Sequence, residues 1–182
     1  MKVAITGHTN GIGLGLYNYF VERDHEVSGF SRSNGYTMPE ANDRILSQII
    51  DCDLFVNNSE PVLSQLFFLR QLSLLWWDKP KTIIIIGSVL SKQPNTSEFV
   101  YAQIEKKLLD YETRNVTYNT KPDRKLVITA IHPSFVKTNL HSELGIPDAD
   151  DSVTLSVQQV VDVVDMTLRS PVVIEDIVFR KQ

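Results

Sequence analysis

The sequence has little cysteine, no basic surplus and no unbroken apolar run of membrane length, and each shortage removes a class of function. Its one cysteine, Cys52, cannot close a disulfide within the chain, which fits a reducing compartment and sets the expectation of a cytoplasmic protein. Lysine and arginine total 18 against 22 acidic residues, a formal charge of −4. Without a basic excess to displace phosphate counterions, nucleic acid is not expected as a partner. The most apolar stretch, residues 62–77, is interrupted by Gln65, Arg70 and Gln71 and reads as a buried or oligomer-facing helix, so no membrane partner is expected. No signal-peptide layout stands ahead of the strand-like run Lys2-Val3-Ala4-Ile5-Thr6. No cysteine–histidine cluster with metal-ligand spacing occurs, and no metal is expected. The sequons at Asn57, Asn95 and Asn115 are read as chance, and there is no internal repeat or low-complexity tract.

What remains is globular. With 182 residues, 42% hydrophobic and 22% charged, the chain suits one domain over residues 1–182. Short apolar runs alternate with helical periods, the pattern of βαβ units around a parallel sheet. The strand candidates are 3–6, 26–30, 53–56, 82–86, 126–131 and 176–179, with the isoleucines at 83–86 as the centre of the sheet. Thr37-Met38-Pro39-Glu40 reads as a helix start, and Ile45, Leu46, Ile49 and Ile50 as its apolar stripe. Val100, Ile104, Leu108 and Tyr111 mark one face of a later helix, residues 112–124 read as a surface connection, and Ser156 and Gln159 form a capping box. The expected fold is α/β: a doubly wound, Rossmann-like domain with a parallel sheet.

The first strand leads into Thr6-Gly7-His8-Thr9-Asn10-Gly11-Ile12-Gly13 and then a helix. Glycines there let backbone N–H groups approach a pyrophosphate, and the helix N-terminus adds a favourable partial charge, so the turn predicts nucleotide binding. An acid at the end of the second strand would bond the ribose hydroxyls of NAD, but this chain has Phe30-Ser31-Arg32-Ser33. A guanidinium flanked by the hydroxyls of Ser31 and Ser33 suits a phosphate monoester, hence NADP(H) in preference to NAD(H).

Together these residues resemble the short-chain dehydrogenase/reductase superfamily along nearly the whole chain. Thr6 to Gly13 fits that family's TGxxxGxG turn, and Asn57-Asn58-Ser59-Glu60 is similar to its NNAG motif, with Ser59 and Glu60 in place of Ala-Gly. Ser88 stands where the family has its catalytic serine, and Tyr101 follows at the family's spacing of 13 residues. His132 to Thr138 resembles the PGxVxT segment, with Ser134 in the glycine slot. The resemblance implies hydride transfer between a nicotinamide and a small carbonyl or alcohol, with Tyr101 as proton donor and Ser88 holding the substrate oxygen. Gly7, His8, Thr9, Asn10, Gly11, Ile12 and Gly13 would hold the cofactor's pyrophosphate. Asn58, Ser59 and Glu60 would line its ribose side, and Pro133, Val136 and Thr138 would cover the nicotinamide. In this family the helix corresponding to residues 62–77 packs on its symmetry mate, which implies a homodimer or homotetramer.

Three departures accompany the resemblance. The helix between the second and third strands is missing, leaving the third strand lost or a stub near Gly35-Tyr36. The segment for a substrate lid, residues 141–152, is short. The family's lysine, four residues after its tyrosine, is here Glu105, with Lys106 and Lys107 following. On a regular helix position 105 lies about 40° from Tyr101 and position 106 about 140° away. A one-residue π-type bulge would return Lys106 to the face of Tyr101, and Lys106 is the expected functional lysine on that condition. Two functional classes stay open: an NADP(H)-dependent reductase with a Ser88-Tyr101-Lys106 site, and an NADP-binding protein of the same fold with weak or no turnover, used as a sensor or assembly module.

Overall fold

A computed structural model of the chain describes residues 1–94, 100–118, 124–138 and 150–182. Six strands form one parallel sheet in the order β2-β1-β3-β4-β5-β6. They are β1 (Lys2–Thr6), β2 (Glu26–Phe30), β3 (Leu54–Asn57), β4 (Thr82–Ile86), β5 (Val127–Pro133) and β6 (Asp176–Phe179). The helices are α1 (Gly11–Val21), α2 (Asn42–Ile49), α3 (Val62–Leu75), α4 (Val100–Tyr118) and α5 (Val157–Arg169).

Alternation along the central strands sorts the core into two faces, because successive side chains leave a strand on opposite sides. Ala4, Phe55, Ile83, Ile85 and Ile128 pack with Ile45 of α2, Phe68 and Leu72 of α3 and Leu109 of α4. Val3, Ile5, Val56, Ile84, Ile86 and Ile131 face the other way, onto Leu16 and Phe20 of α1 and Val161 and Val164 of α5. The sheet is thus covered on both sides, and its inner strands read as continuous apolar runs for that reason. Trp76 closes one face, its Nε1 donating to the Ile50 carbonyl at 2.9 Å.

Every expected strand is present within two residues of its anticipated ends, and the Ser156–Gln159 capping box forms in both directions. The third strand of the family pattern is absent: Gly35 and Tyr36 are not in a strand, and a 3-10 helix, Arg32–Asn34, follows β2 directly. Thr37 does not start the next helix either, since α2 begins at Asn42 after turns in which Ala41 N–H donates to the Thr37 carbonyl at 2.9 Å. Residues 112–118 are helical rather than a connection, because Thr113 and Thr117 are buried on α4. The lid segment falls mostly on residues 139–149, outside the described residues. Among the described residues no helix is long and apolar enough to cross a membrane.

Candidate active site

The strand order reverses at β1, whose neighbours β2 and β3 are reached in opposite directions. In open parallel sheets the crevice beyond the strand ends at such a point is where ligands bind. Here it is framed by Gly7 to Gly13 and by Asn58. Asn58 N–H donates to Thr6 Oγ1 at 3.0 Å, and its Nδ2 reaches the carbonyls of Thr6 at 3.3 Å and Gly7 at 3.4 Å. Gly7 and Gly11 hold positive φ angles of 67° and 52°, which L side chains rarely adopt. A Cβ at Gly13 would lie 2.0 Å from the Gly7 oxygen, so only glycine closes this turn. Asn10 precedes α1 without a side-chain cap, leaving the backbone donors of the first turn to an anion.

Thr138, in the segment that follows β5, meets the turn: its Cγ2 would be 3.0 Å from a Cβ at Gly11. Val136 bridges to Leu155 and is buried, which fixes the segment running from Pro133 to Thr138 over the turn. The glycine turn, Asn58 and Thr138 thus lie together in space. His8 leans over Gly29, where a Cβ would clash at 2.2 Å, and its ring centroid is 5.2 Å from that of Tyr17. Its Nδ1 is buried without a hydrogen-bond partner. Burial pushes the His8 imidazole below its ordinary range, against a backbone hydrogen bond at Phe30. At the end of β2, Arg32 and Ser33 are exposed, whereas Ser31 is buried with its hydroxyl 2.9 Å from that of Ser33.

Ser88, Tyr101 and Lys106, the expected catalytic residues, are less closely gathered. Ser88 lies two residues beyond the end of β4 and caps the 3-10 helix Val89–Lys92, its Oγ accepting from Leu90 N–H at 3.2 Å. Tyr101, in the first turn of α4, is 84% exposed and makes no hydrogen bond to Ser88 among the described residues. Residues 95–99, between them, lie outside the described residues. The anticipated bulge is a correction: α4 is an unbroken α-helix from Val100 to Tyr118, so Lys106 does not share the face of Tyr101. Lys106 Nζ instead meets Glu60 Oε1 at 2.7 Å, joining α4 to the loop after β3. Ser59 is buried in that loop with its Oγ unpartnered.

Several site-shaping residues escaped the sequence reading. Gln65, which only interrupts an apolar run in sequence, donates from Nε2 to the carbonyls of Asn57 at 2.8 Å and Ile86 at 3.1 Å, tying the ends of β3 and β4. Gln103 donates to the Pro94 carbonyl at 2.7 Å and so anchors the segment after Ser88. Asp110, His132 and Asp176 bring carboxylate oxygens and a ring nitrogen within 4.8 Å of one another. The Lys92 ammonium already stands among them, 2.7 Å from each carboxylate.

No protein-family model matches the chain, and no curated protein matches it either. Solved structures do. A short-chain dehydrogenase from Burkholderia cenocepacia J2315 in complex with NADP is 18% identical with a TM-score of 0.74, the match covering 97% of this chain and 87% of that one. The closed form of a serine dehydrogenase complexed with NADP+ is 18% identical with a TM-score of 0.78, covering 99% and 94%. A 4-hydroxyisoleucine dehydrogenase complexed with NADH is 17% identical with a TM-score of 0.73, covering 98% and 96%. The parallel sheet, its two helical layers and these matches together give the chain the fold of the short-chain dehydrogenases/reductases.

Proposed function

We propose that the chain is an NADP(H)-dependent oxidoreductase of the short-chain dehydrogenase/reductase family, acting on a small carbonyl or alcohol. The carrying observation is the turn Gly7–Gly13, shaped so that a side chain at Gly13 would strike the Gly7 carbonyl, with Thr138 seated against Gly11. That cradle fits a pyrophosphate, with Thr9, Asn10 and Ile12 contributing backbone donors and the α1 N-terminus its partial charge. Arg32 and Ser33 would take a ribose phosphate, which favours NADP(H) over NAD(H). Asn58, Ser59, Glu60, Pro133 and Val136 would enclose the remainder. When bound, the nicotinamide supplies or accepts the hydride. Tyr101 would carry the proton to or from the substrate oxygen, and Ser88 would hold that oxygen in place.

A second reading has its own support. The unbroken α4 helix keeps Lys106 off the face of Tyr101, and Glu60 occupies its ammonium. A phenol that lacks a neighbouring cation is a poor proton shuttle at neutral pH, and on this reading the chain binds NADP(H) with weak or no turnover and serves as a sensor or assembly module. On either reading we take residues 1–182 as one cytoplasmic domain that assembles as a homodimer or homotetramer through α3 and α4.

The experiment that separates the readings mixes the protein with NADPH and a panel of ketones, aldehydes and 3-oxoacyl thioesters while nicotinamide absorbance is followed. Turnover abolished by Tyr101→Phe supports the oxidoreductase. Binding with no turnover supports the second reading, and no binding removes both.

A further inference from the structure

Among the described residues, a charge cluster gathers beside the Ser88 segment. Lys92 Nζ is 2.7 Å from Asp110 Oδ1 and 2.7 Å from Asp176 Oδ2, and Arg114 Nη2 is 3.1 Å from Asp110 Oδ2. His132 Nε2 points between the two carboxylates, 3.5 Å from Asp110 Oδ1 and 3.4 Å from Asp176 Oδ1. The residue is 2% exposed, and this nitrogen has no hydrogen-bond partner. On the opposite side of the ring, Nδ1 is 3.2 Å from Ser91 Oγ and 3.3 Å from the Ser88 carbonyl. A Cβ at Gly87 would lie 2.6 Å from this Nδ1, so glycine there is what admits the ring against the Ser88 backbone.

The proton count constrains the cluster. Ser91 has one hydroxyl proton and two acceptors, the Ser88 carbonyl at 2.8 Å and His132 Nδ1 at 3.2 Å. A neutral ring protonated at Nδ1 would turn the Nε2 lone pair onto two carboxylates, which repel it. A neutral ring protonated at Nε2 aims that proton at the carboxylates and leaves Nδ1 to accept from Ser91. An imidazolium donates from both nitrogens; its Nδ1–H has the Ser91 oxygen at 3.2 Å and the Ser88 carbonyl at 3.3 Å before it, and donation to Ser91 makes that hydroxyl the acceptor and leaves its own proton to the Ser88 carbonyl at 2.8 Å.

We propose that His132 is a proton-operated positioning residue for the Ser88 segment: protonation at Nδ1 reverses the His132–Ser91 hydrogen bond and fastens Ser91 to the Ser88 carbonyl. The backbone that carries the Ser88 hydroxyl is thereby set in two ways, one on each side of the ring's titration. The groups facing the ring are Lys92 from the 3-10 helix, Asp110 and Arg114 from α4, and Asp176 from β6. Burial and the Lys92 charge hold the imidazole below its ordinary range, against the pull of Asp176 and Asp110, so the switch works on the acidic side of neutrality. Its catalytic consequence rests on the reading of Ser88 as the substrate-holding hydroxyl; the switch itself does not.

The test is a pH titration of the full chain by NMR, following the imidazole nitrogens of His132 and the backbone amides of Leu90 and Ser91. The expected result is a ring protonated at Nε2 alone at neutral pH, then at both nitrogens on acidification, with both amides shifting at the same midpoint. In His132→Asn, whose amide replaces the Nδ1 contact but cannot titrate, that midpoint should vanish from the Leu90 and Ser91 amides. If turnover is present, its acid limb should vanish from kcat while KM for NADPH holds. A ring protonated at Nδ1 at neutral pH overturns the proposal, as does titration without movement of the two amides. A ring that never titrates while the fold persists also overturns it. Should His132→Asn fail to fold, the wild-type titration decides alone. Absence of turnover counts against the oxidoreductase and leaves the amide readout standing.

Discussion

At Gly13 there is no room for a methyl group. The added Cβ would sit 2.0 Å from the Gly7 oxygen and 2.7 Å from Asn58 Nδ2, and the first of these is backbone that cannot swing away. Gly13→Ala should therefore lower the melting temperature, with an overpacking cost of about 1–3 kcal/mol. An unchanged melting temperature would mean that the turn is loose. Arg32 offers the complementary test because it is exposed and supports no buried packing. Arg32→Ala should weaken NADPH binding by about 1.5–3 kcal/mol and leave NADH nearly unchanged. Equal losses in a paired titration would assign Arg32 to the fold. Both residues were legible in the sequence because a strand–turn–helix unit is local, and its glycines and the arginine lie close to their own strand ends. Glu60 and Lys106 were legible as candidates, but their pairing was not, since it joins positions 46 residues apart. The cluster around His132 was not legible: His132 itself stands at the head of the segment that resembles PGxVxT, but its charged partners Lys92, Asp110, Arg114 and Asp176 come from three other elements, and in sequence each is an unremarked lysine, arginine or aspartate.

Among the elements, α4 departs furthest from expectation. An amphipathic helix normally buries its apolar stripe, yet α4 buries Gln103, Asp110, Thr113 and Thr117 while Ile104 and Leu108 stay exposed. The polar side can be buried because it is satisfied: Asp110 meets Lys92, and Thr113 Oγ1 donates to the Leu109 carbonyl at 2.7 Å. The inner strands were read well because burial on both faces leaves an unmistakable apolar run. The ends of α2 and α4 were read poorly, since tertiary partners rather than local signals decide them. The exposed stripe of Ile104, Leu108 and Tyr111, with Leu63 and Leu74 on α3, is what the oligomer reading would cover. The double variant Ile104→Glu, Leu108→Glu should lower the mass measured by light scattering at micromolar concentration while the circular dichroism spectrum is retained. A wild type that is already monomeric would end that reading.

For the whole molecule, acid should be the weak side. His8 and His132 both have imidazoles held below the ordinary value of 6.5, chiefly by burial, whereas the unfolded chain titrates near that value. Below it the unfolded state binds more protons than the folded state. Their contribution to stability is therefore full above 6.5 and is lost as pH falls toward the lowered folded values. Urea midpoints followed by the fluorescence of the buried Trp76 should be level above neutrality and decline as the pH falls below about 6.5. A midpoint that rises on acidification would contradict the burial of these rings.

The account depends most on one event, capture of a phosphorylated dinucleotide at the crevice between β1 and β3. Calorimetric titration of NADPH and of NADH into the wild-type protein measures it without any assumption about substrate or turnover. The predicted result is saturable binding at one site per chain, with NADPH the tighter ligand and at least about tenfold apart from NADH, the effect of one charge-assisted contact. No saturable binding of either dinucleotide would contradict the account at its base, and tighter binding of NADH would contradict the role given to Arg32.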